Sequence, residues 1–474
     1  MIRFAGVLAY LSLFSCCLTA ATFDDATRQL SRDIFKQLIE INTTDSAGST
    51  TVAANAMAKR LLDAGFPTAD VVVLGPNARK GNLVVRFRGI GAHKPILIIG
   101  HLDVVEARRS DWTTDPFQFI EKGGYFYGRG TQDMKVSDAI AVTTFIRFKK
   151  EGYRSDRDVI LALTADEEGG TSNGVDWLLK NHRDLIDAEF ALNPDSGGVE
   201  LENGKPLDVL VEATEKLYAD FQLTAVNPGG HSSLPVPDNA IYHIAGALQR
   251  LQHAPFPFEL NAVTRAYFER MATIEHGQTA ADIKGILETP PNEDAIARLS
   301  QDAHYNATMR TTCVATMLSG GHAPNALPQS AQANVNCRIL PGHSAEEVRQ
   351  QLIRVFADPK VNVRFVEPST GKAVDTAPLR VALPPPPPRP DVMKPLGRIA
   401  DEMWIGAPVI PEMETGASDS IYTMAAGIPS YGINGIAIER TDVRAHGKDE
   451  RVLVRSFYDG VDFYYRYLKA LTSE

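Results

Sequence analysis

Residues able to do chemistry gather in a few short stretches of this chain. The apolar run at 95–100 leads straight into His101-Leu102-Asp103, and a second run at 158–164 leads into Asp166-Glu167-Glu168-Gly169. Between them stands Gly128-Arg129-Gly130-Thr131-Gln132-Asp133-Met134-Lys135; later come Asn193-Pro194-Asp195 and Arg444-Ala445-His446-Gly447. Two histidines and three carboxylates suit two divalent ions of borderline softness, zinc first, with cobalt or manganese compatible. A carboxylate bridging such a pair holds the ions about 3.5–4 Å apart, and the pair acidifies a water and polarises a carbonyl. The neighbours Glu167 and Glu168 would divide the work, one as ligand and one as general base. The Asp103 carboxylate, two residues beyond His101, is placed to hold the imidazole N–H, the usual support of a metal-bound histidine. Each stretch alone has a plainer reading: a turn at His101, a helix cap at Asp133, solvated surface at Glu167-Glu168, a turn aspartate at Asp195. The combination, each member at the end of a strand-like run, is what favours a dinuclear site.

Groups so distant in sequence meet only where several strand ends converge. Leu30, Ile34, Leu38 and Ile41 share one face of a helix predicted over 26–41, and 52–64 reads as a second helix ended by Gly65. Strands are expected at 82–88, 95–100, 158–164 and 188–192, and helices at 137–151 and 174–181. This alternation implies a mixed, largely parallel sheet covered on both faces. Ligands of open α/β sheets bind at the carboxyl ends of the strands. Near residue 214 the pattern changes. A strand at 217–225, a helix at 240–251, a strand pair at 311–318 and 332–340, a helix at 345–356 and a strand at 361–366 follow in ferredoxin-like order, with an extra helical insertion at about 255–308. The chain then returns to the first domain with a helix at 396–403, a strand at 430–433 and a closing helix at 452–471. The expected fold is α/β: a mixed, mostly parallel-sheet catalytic domain (22–213 and 371–474) with an inserted ferredoxin-like α+β lid and dimerisation domain (214–370). The proline run at 384–388 reads as a stiff connecting loop.

The 474 residues are 44% hydrophobic and 22% charged, which places the chain among soluble globular proteins. Acidic residues number 58 against 48 basic, a net charge of −10, so there is no overall basic field for nucleic acid or anionic lipid. Residues 1–21 read as a cleaved secretory signal, with Arg3 ahead of an apolar run and the small residues Thr19, Ala20 and Ala21 at the cleavage site. Lipid attachment at Cys16 and an uncleaved N-terminal anchor are the alternatives. No later stretch has about 20 uninterrupted apolar residues, so no stable membrane insertion is expected after cleavage. The expected destination is the periplasm or the medium, where a disulfide can persist. Cys313 and Cys337 then remain on neighbouring expected strands, open either to a cross-strand bridge or to staying buried thiols.

Taken together, these motifs resemble the M20 metallopeptidases, which include carboxypeptidases, dipeptidases, aminoacylases and amino-acid deacylases. The resemblance spans nearly the whole mature chain. It adds Gly229-Gly230-His231-Ser232-Ser233, Asn325, Pro328 and Arg338 to the stretches above. It implies that His101, Asp133 and Asp195 hold one metal and Asp133, Glu168 and His446 the other. It makes Glu167 the base and Asp103 the support of His101. It also implies that His231, on the lid, reaches the partner subunit's site in a homodimer and stabilises the oxyanion, while Asn325 and Arg338 contact the substrate carboxylate. Two departures stand out. Thr415-Gly416-Ala417-Ser418-Asp419-Ser420 lacks the arginine common in that loop, and Val136-Ser137-Asp138 replaces the usual glycines. The expected activity is hydrolysis of small peptides with a free carboxylate. Deacylation of N-acyl amino acids is the alternative. A metal-free homologue kept for binding is remote, because every ligand position and the base are intact.

Overall fold

The computed structural model describes residues 24–368, 370–379 and 388–473. The expected leader, with Cys16, and most of the proline run at 384–388 lie outside them. The main sheet has six strands in the order Val71–Leu74, Asn82–Phe87, Val159–Thr164, Ile96–His101, Phe190–Leu192 and Ser430–Tyr431. Asn82–Phe87 runs antiparallel to both its neighbours, and the other five strands share one direction. Side chains alternate between two cores, as a sheet buried on both faces requires. Ile96, Ile98, Leu161 and Leu163 meet Asp25–Glu40, Lys135–Glu151 and Val454–Leu471 on one face. Leu97, Ile99, Ile160 and Ala162 meet Gly174–Asn181 on the other. Lys135–Glu151 is buried along most of its length and ends at Gly152 in the left-handed conformation.

A second sheet was not anticipated. Val409–Glu414, Lys205–Glu215, Gly198–Glu202 and Ala437–Glu439 form four strands in that order. The sequence reading contains no strand between 193 and 216 because buried acids interrupt the apolar pattern: Asp208, Glu212 and Glu215 are all under 5% exposed. The local signal is nonetheless present. Asn203 and Gly204, with φ of 54° and 74°, form the two-residue turn of a hairpin in which Glu202 faces Lys205.

The segment from 217 to 374 forms a sheet of its own. Thr312–Gly320, Ser330–Ile339, Leu217–Val226 and Asn362–Val366 lie side by side, all antiparallel, with Ala373–Val374 added at the edge. Ala240–Gln252 and Ala345–Phe356 cover one face of this sheet. The helices of the 255–308 insertion do not join it. Phe268, Met271, Ile283, Ile296 and Leu299 instead pack on Ile410 and Leu210, covering the second sheet.

Cys313 and Cys337 sit opposite one another on adjacent strands and form a disulfide. The bond joins residues 24 apart in sequence. Replacing both by serine should lower unfolding stability of the inserted unit by about 3 kcal/mol, measured by denaturant titration of the oxidised protein against the variant.

Candidate metal centre

Each candidate ligand named from the sequence stands at the carboxyl end of a strand or in a loop tied to one. His101 is the last residue of Ile96–His101. Gly100 precedes it because a Cβ there would stand 2.4 Å from Asp138 Oδ1. Val159–Thr164 ends in a turn where Asp166 takes φ 59°. Asp166 is held there by an ion pair with Lys80 and by the Ser172 N–H, and the turn swings Glu167 and Glu168 inward. Phe190–Leu192 leads to Asp195, and Ser137 donates to the Pro194 carbonyl at 2.9 Å. The replaced glycines thus tie the start of Lys135–Glu151 to the Asp195 loop.

Asp133 and His446 come from two loops zippered by Glu450. This carboxylate is fully buried and accepts from Arg129 Nη1 at 2.6 Å and from the backbone N–H of Gly130, Gln132 and Asp133. Gln132 bonds Asp442, Arg451, Arg444 and Ala445 of the other loop. Glu450 escaped the sequence reading because Lys448-Asp449-Glu450-Arg451 looks like solvated charge. Its partners lie more than 300 residues away.

The ligand atoms converge. His101 Nε2 lies 3.1 Å from Asp133 Oδ1 and 3.4 Å from Asp195 Oδ1. His446 Nε2 lies 3.0 Å from Asp133 Oδ2 and 2.9 Å from Glu168 Oε2. Asp133 therefore faces both clusters, one oxygen to each. Donors bound at roughly 2.0–2.2 Å around a tetrahedral ion stand about 3.3 Å apart, so the spacing fits. Buried His101 Nε2 and Asp133 Oδ1 have no hydrogen-bond partner despite their proximity. They are aimed at a common point rather than at one another.

The electrostatics ask for cations. Asp103, Asp133, Glu167, Glu168, Asp195 and Asp419 gather here, and no described lysine or arginine is ion-paired to any of them. Burial pushes the Glu167 carboxyl well up, with Asp195, Asp419 and Glu168 adding to the rise. Burial also raises Asp195, and lifts Asp419 to about 6 and Asp103 to about 7. Burial disfavours charge on His101, but Asp195 and Asp133 override it and hold its pKa well above the usual value. Hydrogen bonds to Asp133 and Glu168 raise His446 to about 10.

Asp103 differs from expectation. Its carboxylate stands 3.8 Å from His101 Nδ1, while its backbone carbonyl is at 3.0 Å. That carbonyl takes the Nδ1 proton and leaves Nε2 free for a metal. The carboxylate is occupied elsewhere, accepting the N–H of Glu167 at 3.2 Å and of Glu168 at 3.0 Å. The Thr415–Ser420 departure is also explained. Ser418 donates from N and Oγ to Glu215, and Ser420 is fully buried against Asn193 and Ser430. A side chain there supports the strand ends and does not reach outward.

His231, Asn325 and Arg338 all lie on the inserted unit and make no hydrogen bond or ion pair with the cluster. His231 is exposed on a short hairpin, where the Ser232 N–H donates to the Asn325 carbonyl. His231 Nδ1 lies 2.7 Å from Ser233 Oγ and 3.2 Å from the Ser233 backbone nitrogen, and these contacts leave Nε2 unengaged. Arg338 lies over the Tyr218 ring.

A two-cluster ligand set with a shared carboxylate, at the carboxyl ends of an open α/β sheet, defines a dinuclear metal-dependent hydrolase. The chain belongs to peptidase family M20/M25/M40, whose profile matches residues 97–470. It is 27% identical over 415 residues to a probable carboxypeptidase S-like 2 of Dictyostelium discoideum, covering 82% of this chain and 74% of the relative. It is 28% identical over 393 residues to an N-fatty-acyl-amino acid synthase/hydrolase of Homo sapiens (79% and 74% covered). It is 26% identical over 387 residues to human aminoacylase-1 (80% of each chain). The fold matches an M20 family metallo-carboxypeptidase from Sulfolobus solfataricus with a TM-score of 0.69 at 17% identity, over 93% of this chain and 99% of that one. A dinuclear metal-binding M20 peptidase from Bacillus subtilis matches with a TM-score of 0.56 at 11% identity, over 94% and 98%. Two divalent ions belong to this site.

Two outcomes follow from the geometry. Metal binding must displace protons from His101 and His446, so affinity should rise with pH until about 10, where His446 loses its proton unaided, with proton release seen in calorimetry in buffers of different ionisation enthalpy. Glu450→Gln removes the charge facing Arg129 and sets an amide against backbone N–H groups. Metal affinity should fall about 10- to 100-fold, read by competition with a chromogenic chelator.

Proposed function

We propose that the protein is an exported, zinc-dependent homodimeric peptidase that cleaves small peptides bearing a free carboxylate, as a carboxypeptidase or dipeptidase. The observation that carries this reading is the shared carboxylate of Asp133 between the two ligand clusters, with Glu167 beside them. Two bound divalent ions supply Lewis-acid polarisation of the scissile carbonyl and acidify the attacking water. Glu167 takes the proton of that water and delivers it to the departing nitrogen. Burial among like charges suits it to hold a proton between the two steps. His231 of a second copy donates from Nε2 to the developing oxyanion. Asn325 and Arg338 hold the substrate carboxylate.

The exposed edge strand Thr312–Gly320 supports the dimer. Val314, Met317 and Leu318 are each at least 60% exposed on it, and an open apolar edge invites strand pairing. His231 makes no hydrogen bond or ion pair with the cluster of its own chain, which supports the same reading. The Cys313–Cys337 disulfide and the expected leader support export. Among the described residues, no helix is long and apolar enough to cross a membrane.

A second reading is deacylation of N-acyl amino acids, favoured by the similarity to the fatty-acyl-amino acid hydrolase and aminoacylase-1. A panel of dipeptides and of short- and long-chain N-acyl amino acids separates the two. Release of amino acids from dipeptides supports the first, and cleavage of acyl substrates alone overturns it. Metal analysis of the purified protein should find zinc. Glu167→Ala should lose about 10²-fold or more in kcat while retaining both metals; undiminished hydrolysis would remove Glu167 from the role of base.

A further inference from the structure

The inserted sheet has one face covered by helices and one open. Ala219, Phe221, Val335, Cys337 and Ile339 face the helices. The alternation therefore places Tyr218, Asp220, Asn336 and Arg338 on the open face, where Tyr218 is paired with Arg338 and Asp220 with Asn336. These four are linked in series. The Arg338 guanidinium carbon lies 4.7 Å from the Tyr218 ring centroid. The Tyr218 hydroxyl donates to Asp220 Oδ2 at 2.5 Å, and Asp220 Oδ1 accepts from Asn334 at 2.8 Å and Asn336 at 3.0 Å. Asp220 is thus occupied by neutral donors, and Arg338 has no ion pair among the described residues.

Two further basic side chains stand nearby without a carboxylate partner among the described residues. Lys216, two residues before Tyr218, is fully buried where the strand Lys205–Glu215 crosses into the inserted sheet. Its Nζ donates to the Arg310 carbonyl at 2.7 Å and lies 3.5 Å from Thr312 Oγ1, next to Arg338 in register. Arg310 is 7% exposed, bonds only Phe256 O and Ser300 Oγ, and has an unpartnered Nε. Burial, then Arg338 and Arg310, push the Lys216 ammonium down to about 7. Buried positive charge without a counter-charge is costly unless a ligand supplies the anion.

We infer that Tyr218 and Lys216 are positioning residues for substrate specificity: Tyr218 holds the Arg338 guanidinium flat, Lys216 in its protonated form adds positive charge beside it, and this end of the open face receives the substrate carboxylate. The inference rests on reading Arg338 as the residue that binds that carboxylate. A guanidinium stacked on a ring keeps its edge free for a bidentate contact. Fixing its plane in advance lowers the ordering cost of binding.

The test uses the metal-loaded full chain with alanyl-phenylalanine or N-acetyl-phenylalanine, whichever is hydrolysed, and the corresponding carboxamide. Tyr218→Leu and Lys216→Met should each raise KM for the acid about fivefold or more, with kcat within about twofold and KM for the carboxamide unchanged. Tyr218→Phe and Lys216→Arg should restore the acid preference. Tyr218 is 41% exposed, so its replacement leaves the core intact. Equal effects on acid and carboxamide, or no effect, would overturn the inference. If Arg338→Ala leaves the acid preference unchanged, the reading of Arg338 itself falls. If Arg338→Ala abolishes it while Tyr218→Leu and Lys216→Met keep it, only the roles of Tyr218 and Lys216 fall.

Discussion

Six carboxyl groups facing one another with two imidazoles are the constraint around which this molecule is built. Charges packed in a dry site are costly, and the raised pKa values of Glu167, Asp195, Asp103 and Asp419 record their burial first and the repulsion of neighbouring carboxylates second. Two divalent ions answer it. Without them the protein must take up protons instead, so metal affinity, protonation and stability are linked at this one place.

Holding such a set together requires anchors that do not compete for the metals. Glu450 gathers three backbone N–H groups and the Arg129 guanidinium, and so couples the loops of Asp133 and His446. Lys80 fixes Asp166 in a left-handed turn that aims the two glutamates. Glu215 stitches the Ser418 loop to the strand ends. These groups are spent on geometry, and the ligand atoms stay unclaimed. The inserted unit contributes differently. It buries its own core against two helices and turns a polar sheet face and an exposed edge outward.

Much of the fold was legible because its signals are local. The run at 158–164 and the helix at 174–181 carry their own periodicity and stop signals, and the strand-to-acid junctions at His101, Glu168 and Asp195 need no distant partner to be noticed. The hairpin turn at Asn203-Gly204 was legible too, but the buried acids of Lys205–Glu215 disguised the strand behind it. Glu450 carried no such signal, since its meaning lies in a contact with Arg129 some 321 residues away.

The order of residue types along the chain was enough to name the candidate ligand groups, the alternation of strands and helices, and the change of pattern near residue 214. Each of these follows from chemistry carried by neighbouring residues. Tertiary structure alone decided which atoms do the supporting. It replaced the Asp103 carboxylate with its carbonyl at His101, laid the 255–308 helices on the second sheet, closed the Cys313–Cys337 bridge, and left Arg338 against Tyr218 without an acid. Those outcomes depend on backbone direction and on which donors are already engaged, and both are set only when distant segments pack.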